Sequence, residues 1–529
     1  MHLTITALDI VILAVYVLGT RFIFGWYITR RAIKESSEKY FLADRNLAWP
    51  IIGFSFYVSN MSGSSFVGLP GSGYHDGIAV YNYEWLPVPI LVFFVFFILP
   101  FFLRARVFTA PGFLEQRYDS RSKLAFSGFL ITANIFIDAA AALYSGGMIA
   151  KVLFPGIPLW QTCAVISCIA GIYIFFGGLD AVVLNDVLQA AMILLGGVII
   201  AVMTWVKIPS WDAVIAAAPP HGLDLVRPLS DPFLPWPGIV SGVLIVGIYF
   251  WCTNQFVIQR ALGARSLDHA RRGSLFAGIL KLPNLFILVL PGVMARALYP
   301  DIERADMVFP ALAFDILPLG VRGLMLACLT AAILSSLESI YNSASTLFTM
   351  DFVKHFRPAT EDRNLVRTGR AATLVFMALS ALWAPQIERF PTLWQYLQSI
   401  LSYITPPVVA VFLAGIFWKG AKGTAAFLTL AGGVPLGIAA WFANEIMGVF
   451  DIHYLYASGI MFVAGICFMI TLSLMGRGEP DESAASLVWR PSFWKSESSE
   501  LQGLPPYLNY RWLSLALLVL CAVLVVWWW

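Results

Sequence analysis

Apolar stretches of about 20 residues, the length needed to cross a bilayer as a helix, recur along this chain at 5–28, 48–70, 80–103, 124–150, 157–177, 183–206, 236–256, 272–299, 321–351, 368–385, 394–417, 423–447, 454–475 and 510–529. They predict an all-α polytopic membrane protein with about fourteen transmembrane helices. The ninth stretch departs from plain apolarity. Within it Ser335, Glu338, Ser339 and Asn342 recur at the three- and four-residue spacing of one helix face, among the further serines Ser336, Ser343 and Ser345. Polar side chains in hydrocarbon need partners, so this face looks into the protein. It is either a hydrogen-bonded seam between helices or, with a carboxylate among hydroxyls, a cation or solute path.

Two other stretches read as interrupted helices. Ser59-Asn60-Met61-Ser62-Gly63-Ser64-Ser65 sits in the second span, and its residues compete with the helix for backbone hydrogen bonds. Gly247 to Gln255, with Cys252-Thr253-Asn254-Gln255, takes the corresponding place five spans later. Defects five helices apart point to two repeats, 48–206 and 236–417, the second inverted because each holds an odd number of helices. Broken first helices in inverted repeats free backbone carbonyls for ions near the midplane. Segments 1–47 and 418–529 are then peripheral helices, with a polar cytoplasmic linker near 476–508 that carries Glu479, Asp481 and Glu482.

Charge in the connections sets the orientation. Arg30, Arg31, Lys34, Lys39 and Arg45 fill the first; Arg104, Arg106, Arg117, Arg121 and Lys123 the third; Arg260, Arg265, Arg271 and Arg272 the seventh; Lys354, Arg357, Arg363 and Arg367 the ninth. The connections around 71–79, 151–156 and 386–393 are nearly free of Lys and Arg. The positive-inside rule then leaves both termini outside the cytoplasm.

Composition agrees with a membrane chain and excludes several classes. Of the 529 residues 59% are hydrophobic and 12% charged, against about 25% charged in soluble domains. A net charge of +3 without basic runs gives no nucleic-acid footprint. No Walker-type phosphate loop predicts ATP use, Gly71-Ser72-Gly73 lacks a βαβ context, and neither the six cysteines nor the six histidines show metal or redox spacing. Glu84, Asp138, Asp186, Lys281 and Glu338 are charges inside apolar spans, each a functional-site candidate or half of a buried pair. With Tyr249, Phe250, Trp251 and Trp394 they supply flat apolar faces beside polar groups, which suits a polyhydroxylated ring.

Over almost its whole length the chain resembles the sodium/solute symporter family, closest to the sodium/glucose cotransporters. The motifs are Ser59-Asn60-Met61 with Phe66-Val67-Gly68-Leu69, Tyr83-Glu84-Trp85, Gly177-Gly178-Leu179 with Asp186, Pro235-Trp236-Pro237-Gly238, Trp251-Cys252-Thr253 through Gln259-Arg260, Leu280-Lys281-Leu282, Ser335-Ser336-Leu337 through Asp351, and Tyr396-Leu397-Gln398-Ser399. The resemblance implies the inverted five-helix repeat and alternating access. It implies a sodium site made by the carbonyls of Val58, Met61 and Ala332 and the hydroxyls of Ser335 and Ser336, hard ligands for a hard cation. A second cation is implied near Asp186 and Ser339, where Glu338 replaces the small or hydroxyl residue usual in the family. Substrate contacts carry over to Asn60, Ser65, Glu84, Phe250, Trp251, Lys281 and Gln398, and gate positions to Leu69 and Trp394. Ser65 replaces a larger polar residue, and Phe250 replaces a tyrosine.

The expected function is import of a sugar or polyol, driven by sodium as coupling ion, in the cell membrane. The other readings are a sugar-gated sensor or channel without coupled transport, a symporter for another small polar solute, and a membrane enzyme. The last needs a His or carboxylate pair at the membrane surface, and none is visible.

Overall fold

The computed structural model describes residues 6–31, 37–154, 156–390, 393–476 and 483–529. Lys34, Glu479, Asp481 and Glu482 lie outside the described residues. Every named element among the described residues is helical. Among those residues nine helices are long and apolar enough to cross a bilayer, and two bent pairs bring the number to eleven. Each of the fourteen expected spans has a helical counterpart; the shortfall against that criterion arises at interrupted, merged or shorter helices.

The first expected break is a real one. Helix α1 (Trp49–Asn60) stops, Met61 and Ser62 are non-helical, and α2 (Gly63–Asp76) resumes. At Gly77 the chain turns with φ +76, and a Cβ there would lie 2.2 Å from the Gly222 carbonyl oxygen, so the turn requires glycine. The span that follows reaches Arg104, and α3 is the run Ser120–Lys151.

Helix α4 runs from Leu159 to Lys207, covering two expected spans at once. A Cβ on Gly146 would lie 2.9 Å from Ile166 and 3.1 Å from Ile333, while one on Gly196 would lie 2.8 Å from Cys328. On a straight helix Ile166 and Gly196 would be about 45 Å apart at 1.5 Å per residue, far more than separates Ile333, which shares the Gly146 surroundings with Ile166, from Cys328 beside Gly196. The run Leu159–Lys207 therefore departs from a straight helix.

The second expected break falls at Thr253 and Asn254, between α5 (Trp236–Cys252) and α6 (Gln255–Leu262), which meet at 45°. Asn254 caps α6 by accepting from the Phe256 amide at 3.4 Å. After α7 (Leu267–Leu298) comes α8 (Val321–Phe356), buried almost throughout from Gly323 to Asp351. Its amino end is satisfied by Asp9, whose Oδ1 accepts from the Gly320 and Gly323 amides at 3.0 and 2.8 Å. A third bend, of 46°, separates α9 (Leu393–Ile404) from Pro406–Phe417. It is not among the expected breaks, although Pro406-Pro407 supplies the cause.

Two expectations are corrected. Arg260, counted with the loop charges, lies in α6 with no exposed surface. Arg117, counted likewise, is buried and donates to the carbonyls of Gly415 and Trp418 at 2.7 and 2.8 Å, capping the Pro406–Phe417 helix. The stretch 476–508 also does more than link. Its helix Pro491–Glu500 docks on the bundle through Trp494 stacked on Phe96 at 5.4 Å and Glu497 paired with Arg271 at 2.6 Å.

Candidate functional site

The break between α1 and α2 sets backbone carbonyls free. In a continuous helix the Ser62 amide would bond Val58, but it bonds the Asn60 carbonyl at 3.0 Å. The Ser65 amide bonds Ser62 at 3.0 Å instead of Met61. Val58 and Met61 are thus left with carbonyl oxygens no longer claimed by the helix ladder, at the place where α1 faces α8. Ser59 of α1 and Ser339 of α8 have hydroxyls 3.2 Å apart. Ala332, Ser335 and Ser336 lie on α8, all buried. Ser336 Oγ has no hydrogen-bond partner among the described residues, whereas Ser335 donates to Asp186 Oδ1 at 2.8 Å.

Beyond Ser335 lies a fully buried charged cluster. Asp186 also accepts from Ser55, and Arg260 Nη2 stands 3.5 Å from its Oδ2. Arg260 donates as well to Ser339, to the Phe256 carbonyl and, at 3.0 Å, to Ser55. Two of the three residues expected around a second cation, Asp186 and Ser339, therefore hold a guanidinium. The third, Glu338, accepts from Asn185 at 3.0 Å.

Next to the break is a cavity of about 120 Å³. Asn60, Ser65, Glu84, Phe250, Trp251 and Gln398 line it, together with Ser336 and Trp394. Apolar ring faces and polar ends thus meet in one space. Lys281 is not in the lining. It sits behind, paired with Glu84, donating to Asn60 and 5.7 Å from the Trp251 ring centroid. Asn284, which the sequence reading missed, completes this chain by donating to Glu84 and accepting from Tyr57 at 3.0 Å. Its signal was its spacing, three residues beyond Lys281 on the same helix face.

At the other side of the cavity Trp394 packs edge-on against Tyr83, centroids 5.3 Å apart at 84°. Gly68 meets Trp394, since a Cβ there would lie 3.0 Å from its ring. Leu69 is buried in α2 outside the cavity lining. The arrangement can hold a cation on oxygens at the break and a small polar ring beside it, under an aromatic cover.

Residues 40–433 match the model of the sodium:solute symporter family. The chain is 30% identical over 549 residues to sodium/glucose cotransporter 4 of Danio rerio, covering 94% of this chain and 83% of that relative. It is 32% identical over 557 residues to sodium/myo-inositol cotransporter 2 of Oryctolagus cuniculus, covering 95% and 82%. The sodium/glucose cotransporter of Vibrio parahaemolyticus is 33% identical over 465 residues, with 82% and 84% covered. Among solved structures, the substrate-bound outward-open state of a Na+-coupled sialic acid symporter superposes with a TM-score of 0.78 at 21% identity, over 90% of this chain and 99% of that one.

Proposed function

This chain belongs to the sodium:solute symporter family, and from that premise we propose the solute, the site residues and the orientation of its transport cycle. It is a multi-pass membrane symporter, not an enzyme, and sodium is its coupling ion. The solute is a sugar or polyol, as the names of its glucose and myo-inositol relatives suggest. The observation that carries this reading is the shared position of ion and solute groups: the break that releases Val58 and Met61 also presents Asn60 to the cavity, and Ser336 faces that cavity from α8.

Sodium binds the carbonyls of Val58, Met61 and Ala332 and the hydroxyls of Ser335 and Ser336. Such an ion ties the α1 break to α8 and fixes Asn60 beside it. Ion and solute then favour the same arrangement of helices, and by linkage each raises the affinity for the other. Arg260 supplies the positive charge between Asp186 and Ser339, in the place of a second cation, with Glu338 held by Asn185. The solute stacks on Phe250 and Trp251 and bonds to Asn60, Ser65, Glu84 and Gln398, while Lys281 orients Glu84 and Asn60 from behind. Trp394, closing on Gly68 and Tyr83, is the gate on the side of the Lys-poor connections, which is the extracytoplasmic side if both termini lie there. The two repeats, 48–206 and 236–417, rock against each other, and 1–47 and 418–529 flank them.

Uptake of D-glucose and myo-inositol by purified protein in proteoliposomes, with and without an inward sodium gradient, tests the reading. Accumulation only with the gradient is expected. Equal equilibration in both conditions would make the protein a channel, and no movement of either solute would remove the sugar assignment. Gln398→Ala should raise the apparent KM by about 5- to 10-fold for the loss of one neutral hydrogen bond. Glu84→Ala should cost more, because it also leaves Lys281 buried and unpaired. Unchanged KM in both variants removes these residues from the site.

A further inference from the structure

Glu84 is not the only carboxylate in the cavity. Asp138 of α3 also lines it, and its Oδ2 is buried without a hydrogen-bond partner among the described residues. The two carboxylates differ in kind. Glu84 is neutralised by Lys281 and bonded by Asn284. Asp138 pairs with no Lys, Arg or His among the described residues. A buried carboxylate oxygen without a hydrogen-bond partner is costly.

Three further groups of the lining are in the same condition: Gln398 Oε1, Trp394 Nε1 and the Ser336 hydroxyl. One of them, Trp394 Nε1, only donates; Gln398 Oε1 and Asp138 Oδ2 only accept when the carboxyl is ionised. The open valences of the cavity therefore call for a ligand rich in donors, which hydroxyl groups are. Asp138 also lies in a π-helical turn, Asn134–Ala139, a local widening of the helix that recurs at functional sites.

We propose that Asp138 is a substrate-binding, specificity-determining residue, accepting hydrogen bonds from one or two solute hydroxyls as a second charged anchor beside Glu84. The inference rests on reading the cavity as a sugar or polyol site. A site with a buried group built to bond a hydroxyl rejects the analogue that lacks it, because the group is then left unpaired. Asp138 thus selects among hydroxylated rings by the position of a hydroxyl, while Phe250 and Trp251 select only for a ring face.

The test uses the full chain in proteoliposomes under an inward sodium gradient, with D-glucose, each monodeoxyglucose and myo-inositol as probes. Wild type, Asp138→Asn and Asp138→Ala are compared. Asp138→Ala should raise the KM for the best probe by about 10- to 100-fold, the range of a charge-assisted hydrogen bond, with the sodium concentration for half-activation at saturating solute unchanged. Asp138→Asn, which keeps one acceptor, should fall between. The deciding readout is the deoxy series. At least one hydroxyl whose removal costs wild type tenfold or more should cost Asp138→Ala less than twofold, a loss of discrimination that a purely structural role would not produce. Deoxy penalties identical in wild type and variants, or an unchanged KM, overturn the proposal. Failure of wild type to move any of these probes overturns the sugar reading itself, and this inference with it.

Discussion

Alanine at both Ser335 and Ser336 is expected to abolish sodium activation of uptake while leaving the protein folded. These are the only side chains among the five proposed ligands, and the three carbonyls of Val58, Met61 and Ala332 cannot by themselves complete a shell for a cation that favours six or so oxygens. The cost to the fold is small by comparison. Ser336 has no partner to lose among the described residues. Ser335 gives up one hydrogen bond to Asp186, which still accepts from Ser55 and faces Arg260, a change of about 1 kcal/mol. Thermal unfolding in detergent should therefore shift little without sodium, and the rise in stability that sodium gives wild type by binding the native state should disappear. Sodium activation in the double variant with the wild-type half-saturating concentration would refute the ligand assignment. The single variants sharpen the test, because Ser336→Ala touches only the ion and the cavity, whereas Ser335→Ala also disturbs Asp186.

Much of this arrangement was legible in the sequence because two physical signals are strong in a membrane. Apolar length marks the spans, and polar residues that compete for backbone bonds mark the breaks: Ser59 to Ser65 brackets the interruption at Met61 and Ser62, and Thr253-Asn254 stands at the second. The cavity was legible through the family motif, since Asn60, Glu84, Trp251 and Gln398, expected as solute contacts, are gathered by the fold into one lining. What stayed hidden depended on partners distant in sequence. A count of positive charges cannot tell a solvated arginine from one buried against a carboxylate 74 positions away, so Arg260 reads as a loop residue. Lys281, expected as a solute contact, lies outside the cavity lining with its ammonium group on Glu84 and Asn60, a pairing that nothing in one dimension shows. Leu69 matches the gate position, but the backbone at Gly68 is what comes close to Trp394, a matter of which side of α2 faces the cavity. The helix Pro491–Glu500 reads as linker because its docking face depends on Phe96 and Arg271, both distant in sequence.

The buried pair of Arg260 and Asp186 should be the most sensitive point of the structure. Arg260 is fully enclosed and bonds Asp186, Ser55, Ser339 and the Phe256 carbonyl. Arg260→Gln removes the cation and leaves the Asp186 charge in the bundle interior, a change of about 3–5 kcal/mol for a broken buried pair. That is a large share of the stability of most proteins, so lower yield and a much lower unfolding temperature are expected. Asp186→Asn should be destabilising for the mirror reason, since it strands the guanidinium. The two changes together should not add. With both charges gone, the double variant carries two neutral amides in place of the ion pair, and it should be more stable than either single variant, so the coupling in the cycle should exceed the larger single loss, about 3–5 kcal/mol or more. Additive losses would mean that Arg260 is held by Ser55, Ser339 and the Phe256 carbonyl rather than by the charge of Asp186. The same double variant separates stability from transport. Because Asp186 also accepts from the proposed sodium ligand Ser335, the double variant should fold yet require more sodium for half-activation than wild type. A double variant with wild-type sodium activation would show that the cluster supports the helices without reaching the ion.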